Sequence, residues 1–90
     1  MRAPAVVRLP SLFGALFPDA ERVVRIEAET VADVMDGLEA RWPGMRDRLC
    51  DGSPAIRRHI NVFVEGERAR LDTRLKPGAD VYILTAVSGG

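Results

Sequence analysis

The chain has 90 residues, 47% hydrophobic and 29% charged, with 13 basic and 13 acidic side chains and a pI of about 6.6. That describes one domain with a modest core, because a chain this size buries only about 60–65% of its unfolded surface. Zero net charge gives no bulk pull toward nucleic acid or an anionic membrane, and the composition is that of a globule rather than a disordered segment.

Single residue types exclude more. Cys50 is the only cysteine, so no intrachain disulfide is expected, which suits a reducing compartment. With one Cys and one His, His59, no Cys/His metal site is expected within the chain. Arg2 precedes an apolar stretch, but Pro4, Arg8 and Pro10 interrupt it. Pro18-Asp19-Ala20-Glu21 is a poor cleavage site, so no signal peptide is expected. No run is long or apolar enough to span a bilayer, and cytoplasm is the expected location.

Ala5 to Leu9 reads as a first strand, with Val7 and Leu9 on one face and Arg8 on the other. Pro10 ends it. Ser11 to Asp19 has apolar spacing for one helical turn, but Gly14 and Pro18 limit it. It is read as an apolar loop lidding one end of the core, with partner docking as the functional alternative. Arg22 to Glu27 is a second strand, Val24 and Ile26 inward, pairing with the first as a hairpin.

Thr30 opens the clearest helix, with Asp33 three residues on to favour the positive end of the helix dipole. Val31, Val34, Met35, Leu38 and Trp42 form one apolar stripe, while Asp36, Glu39 and Arg41 fall largely on the solvent side. Pro43-Gly44 stops the helix. Residues 44–58 read as connecting chain from which Met45 and Leu49 pack inward. Cys50 lacks a base or helix N-terminus nearby and is read as inert. Arg57-Arg58-His59 is a basic cluster too small to argue for nucleic acid.

His59 to Glu65 is a third strand, with Ile60, Val62 and Val64 toward the helix, which leaves Phe63 on the outer face. Glu65-Gly66-Glu67 is a turn, and Arg68 to Leu71 a short charged edge strand. Lys76-Pro77-Gly78-Ala79-Asp80 is a strong turn leading into a last strand from Val81. With Val81 and Ile83 in the core, Tyr82 and Leu84 lie outside, near Phe63. The order of strand, strand, helix, strand, short strand and strand makes a two-layer α+β domain over residues 1–87, with Ser88-Gly89-Gly90 as a flexible tail.

The tail draws the chemical interest. A carboxylate is a poor acyl donor until it is joined to a good leaving group such as AMP, after which a sulfur or nitrogen nucleophile can take the acyl group. The terminus must then reach a partner's ATP site. Gly89 and Gly90 lack Cβ and can thread a narrow channel, and Ser88 is small. Two terminal glycines arise by chance in about one chain in two hundred, so the pair is informative mainly because it follows a final core strand. A frayed end without a role is the plain alternative.

The ending Val81-Tyr82-Ile83-Leu84-Thr85-Ala86-Val87-Ser88-Gly89-Gly90 resembles the ubiquitin-like β-grasp sulfur carriers of the MoaD/ThiS group. Ile60 to Glu67, Leu75 to Asp80 and Thr30 to Val34 also sit where that family has its strand, turn and helix start. Thr85 and Ser88 depart from the Pro and Ala that many members carry, but both keep the tail small. The resemblance implies a β-grasp mixed sheet packed on one main helix, with the last strand parallel to the first in mid-sheet. It also implies that an E1-like enzyme adenylates the Gly90 carboxylate, that a sulfur source converts it to a thiocarboxylate, and that a second, biosynthetic enzyme accepts the sulfur. A molybdopterin-type or cysteine-type pathway is favoured. On that reading the chain is a protein co-substrate rather than an enzyme. It binds no cofactor of its own beyond the transient acyl-AMP and thiocarboxylate at Gly90.

Gly90 then carries the chemistry, Ser88 and Gly89 give access, and Phe63, Leu84 and Val87 form a docking patch with Arg57 and Arg58 at its rim. Two other functions stay open at this point. One is a covalent protein modifier, for which the single lysine, Lys76, disfavours self-made chains. The other is a plain interaction module.

Overall fold

The computed structural model describes residues 3–50 and 55–85. The elements run β1 (Ala5–Arg8), α1 (Leu12–Leu16), β2 (Val23–Ile26), α2 (Val31–Arg41), α3 (Met45–Leu49), β3 (Ile60–Val64), β4 (Glu67–Arg68) and β5 (Asp80–Thr85). The five strands make one mixed sheet in the order β2-β1-β5-β3-β4.

β1 and β2 pair antiparallel, with Val7 opposite Val24. β5 inserts beside β1 in parallel, Val7 opposite Val81, and pairs antiparallel with β3 on its other side. The last strand is therefore central, as the family resemblance implied. Alternation does the sorting: Val7, Val24, Ile26, Ile60, Val62, Val81 and Ile83 are all buried on the face that α2 covers.

Thr30 caps α2 as its sequence suggests. The Asp33 amide donates to Thr30 Oγ1 at 3.3 Å, and the Thr30 amide donates to Asp33 Oδ2 at 3.2 Å, a complete capping box. Val31, Val34, Met35 and Leu38 pack the stripe inward, and half-buried Trp42 ends it. Gly37 permits close approach of the two layers, since a Cβ there would meet Ile26 Cγ2 at 2.6 Å.

Four expectations need correction. Residues 11–19 are not a loop throughout: Phe13 and Gly14 amides donate to the Pro10 and Ser11 carbonyls, and this closes the short helix α1. Phe13 is buried against Phe17, ring centroids 5.9 Å apart, so the lid over the core end is built on a helical turn. The stretch 44–58 likewise contains α3, which turns Met45 and Leu49 inward.

Glu39 is not simply a solvent-side residue. Its carboxylate accepts the amides of Gly44 and Arg46 at 3.0–3.1 Å. The α2–α3 corner leaves those amides without backbone partners, and a carboxylate one turn back is in reach. The fourth strand is also shorter and earlier than expected. Glu65 and Gly66 adopt positive φ (51° and 84°), which closes a two-residue hairpin and starts the pairing at Glu67. The Ala69 amide still donates to the Val62 carbonyl, the chain then leaves the ladder, and Ala69 and Leu71 bury their side chains.

Candidate functional site

One row of residues crosses the outer face of the sheet. Register places Val23 opposite Arg8, Arg8 opposite Tyr82, Tyr82 opposite Phe63 and Phe63 opposite Arg68, one from each strand. Inward neighbours alternate with these, so the row turns away from α2. Tyr82 lies at its centre and is 41% exposed. Phe63 beside it is half-buried. Leu84, two residues on along β5, is 45% exposed and lies opposite Asn61.

The charged groups hold this face in place. Arg8 Nη1 donates to Asp80 Oδ1 at 2.9 Å, and the guanidinium carbon lies 4.8 Å from the Tyr82 ring centroid. The hydrogen bond from Arg8 to Asp80 raises the Arg8 pKa further above its ordinary value, so the cation persists at any physiological pH. The result is an apolar strip of Tyr82, Phe63 and Leu84 on the central strands, with fixed charge at one side. Such a strip suits protein docking, where aromatic side chains supply contact area at low entropy cost.

Phe63 and Leu84 thus fall on one face, as expected from alternation. Tyr82 stands between them and joins the site as its central residue, though it was not among the candidate site residues. Arg8 was missed as well, because its neighbourhood depends on a pairing across 72 residues. Arg57 and Arg58 do not rim this strip. They precede β3 and line a groove with Ile60 and Val62, residues that alternate with Asn61 and Phe63 and so face the other way. The Arg57 Nε donates to the Asp47 carbonyl at 2.6 Å. Val87, Ser88, Gly89 and Gly90, and with them the boundary between domain and tail, lie outside the described residues.

Among the described residues, no cluster of three His, Cys, Asp or Glu side chains is arranged to hold a metal ion. No helix there is long and apolar enough to cross a membrane.

A mixed five-stranded sheet with a central parallel last strand, wrapped on one main helix, defines the chain as a ubiquitin-like β-grasp protein. It belongs to the ThiS family, whose model matches residues 12–90. The chain is 36% identical over 76 residues to the sulfur carrier protein CysO of Mycobacterium tuberculosis, covering 78% of this chain and 82% of that one. It is 32% identical over 72 residues to small archaeal modifier protein 1 of Haloferax volcanii, covering 77% and 83%. Among solved structures, the Amycolatopsis orientalis BexX/CysO complex matches with a TM-score of 0.85 at 30% identity, over 96% of this chain and 99% of that one.

Proposed function

We propose that this protein is a sulfur carrier whose Gly90 carboxylate is the working group. The observation that carries this is the family match, which runs through residue 90 and so includes Ser88-Gly89-Gly90. Identity to a sulfur carrier over most of the chain supports the same role, with the chain acting as a protein co-substrate. Of the two favoured pathways, likeness to CysO supports the cysteine-type one over the molybdopterin-type one.

The chemistry runs in two steps. A Gly90 carboxylate oxygen attacks the α-phosphorus of ATP on an E1-like partner, and pyrophosphate leaves. A sulfide equivalent then adds to the acyl carbon to form a C–S bond, the acyl C–O bond to AMP breaks as AMP departs with that oxygen and its electron pair, and the thiocarboxylate remains for a sulfur-accepting enzyme. This chain's part is to deliver the terminus and to dock. The strip of Tyr82, Phe63 and Leu84 supplies the docking, since β5 carries Tyr82 and Leu84 and the tail follows it in sequence: a partner that receives Gly90 meets Leu84 six residues earlier. That the Amycolatopsis relative was solved in a BexX/CysO complex supports docking onto a protein partner.

One observation favours a second reading. Likeness to a small archaeal modifier supports attachment of Gly90 to lysines of other proteins through the same acyl-adenylate. Intact mass of the protein isolated from its own cells separates the two. A gain equal to one oxygen replaced by sulfur, mapped to the Gly90 peptide, is expected for the carrier. A free protein without that gain, accompanied by larger conjugates, would replace the carrier with the modifier. A variant extended by one residue after Gly90 should fold normally and fail in activation; sulfur transfer by that variant would overturn both.

A further inference from the structure

Away from the Tyr82 strip, a groove of about 420 Å³ opens where β3 passes the chain that follows β4. Its floor is apolar, made by Ile60 and Val62 of β3 with Ala69 and Leu71. Its rim carries four guanidinium groups, Arg57 and Arg58 from the segment before β3, and Arg68 and Arg70 from β4 onward.

Little acid answers these cations. The Arg57 side chain meets, among the described residues, only the neutral carbonyl of Asp47. Among the described residues, Arg58 and Arg68 make no ion pair or hydrogen bond through their side chains. Arg70 approaches Asp72 at 3.7 Å, with both side chains about four-fifths exposed (85% and 79%), a contact of small value. The chain as a whole is electrically balanced, so this is local accumulation of one sign around an apolar floor. Guanidinium forks pair bidentately with carboxylates, and an apolar floor beside them suits a peptide with both acidic and apolar side chains.

The sheet edge adds a shape. β4 ends at Arg68, and the Ala69 amide makes the last ladder bond, to the Val62 carbonyl at 2.7 Å. The chain then turns away through Arg70 to Thr73, closed by the Thr73 amide on the Arg70 carbonyl. Upstream of Val62, β3 has no strand on this side among the described residues, which leaves room for an extended segment. The Ile60 amide already donates to the Arg57 carbonyl, so side chains rather than a full ladder would hold such a segment.

We propose that this arginine-rimmed groove docks an extended acidic segment of a partner protein, one in which an apolar side chain is flanked by carboxylates. The apolar residue covers Ile60, Val62 and Leu71. The flanking carboxylates reach the two arginine pairs, which come from separate segments of the chain. The site goes beyond the sulfur-carrier function and does not depend on it: its floor residues Ile60 and Val62 face away from the Tyr82 strip, and Arg68, opposite Phe63 on the edge strand, is the one rim residue that borders both.

The test is an amide chemical-shift titration of the full chain with an acetylated, amidated pentapeptide, Glu-Glu-Leu-Glu-Glu. Saturable shifts are expected at Ile60, Val62, Ala69 and Leu71, weakening as salt is raised. Binding should fall at least about tenfold in the Arg58→Gln/Arg70→Gln variant, with its melting temperature unchanged. Arg58→Gln alone, outside every strand, carries the same expectation with a smaller loss if the double variant does not fold. Three results would overturn the proposal: no saturable shift up to about millimolar peptide, shifts centred on Tyr82 and Leu84, or acetate or inorganic phosphate binding the same amides as tightly as the peptide.

Discussion

Arg8 and Tyr82 face each other across the parallel pair of β1 and β5, the guanidinium carbon 4.8 Å from the ring centroid. The same guanidinium holds Asp80 at 2.9 Å. One cation from the first strand thereby orients both the entry of the last strand and its most central exposed side chain. Arg8 lies over the Tyr82 ring and Phe63 is its register partner on the other side, an arrangement that limits what Tyr82 would lose in entropy on the proposed docking.

Tyr82→Ala is therefore expected to separate docking from folding. An exposed cation–π contact and one cross-strand pair contribute together about 1 kcal/mol, so the melting temperature should fall only modestly. Partner activation should fall at least about tenfold in kcat/KM, as for a central aromatic anchor. Pyrophosphate exchange with the partner enzyme measures it; an unchanged rate would remove Tyr82 from the docking strip.

Gly89→Ala is expected to act on activation alone. A Cβ next to the reacting carboxylate narrows the φ range and widens the chain in a channel that admits glycine. Adenylation should slow by about tenfold or more, while a thermal melt matches the parent protein. Equal adenylation rates would show that the partner does not need the second glycine.

Glu39 makes stability depend on acid. The amides of Gly44 and then Arg46 donate to its carboxylate and hold its pKa below the ordinary 4.5. A folded-state pKa that is depressed stabilises the fold above the unfolded value, and that contribution disappears as pH falls through the folded value. Glu39→Gln should thus be less stable than the parent at pH 7, and the gap should close in urea melts carried down into the acid range below the ordinary carboxylate pKa. A gap that stays constant with pH would assign Glu39 a packing role only.

Gly37→Val tests the contact between layers. The added Cβ meets Ile26 Cγ2 at 2.6 Å, and Ile26 is itself buried with a stiff branched side chain. Overpacking of this kind costs about 1–3 kcal/mol, more than the propensity a valine gains over glycine in a helix. A melting temperature equal to or above that of the parent would mean that α2 can move off β2 freely.

Much of the sheet is legible in the sequence, because alternation is a local property. Val7, Val24, Val62 and Ile83 are buried where period two puts them, and Leu84 and Tyr82 are exposed for the same reason. The short helices are harder to read. In α1 and α3, five residues each, backbone bonds to Pro10, Ser11 and Trp42 decide the conformation, and no apolar period has room to develop. The role of Glu39 is hidden because its partners are amides freed by a corner, which side-chain patterning does not record.

What the residues determine by themselves is the set of elements and the inward side of each strand. The capped start of α2 at Thr30 belongs with these, as does the pair of glycines at the chain's end. Each depends on neighbours within one or two turns. Only the tertiary structure decides which strands lie side by side. The insertion of β5 between β1 and β3 brings Arg8 to Tyr82 from 74 residues away and builds the exposed apolar strip. It also leaves Arg57, Arg58 and Arg70 around a groove whose floor faces the other way, with Arg68 at the sheet edge between the two. Register between distant strands follows from packing the whole apolar set against α2, a condition on the folded chain as one body that no local window contains.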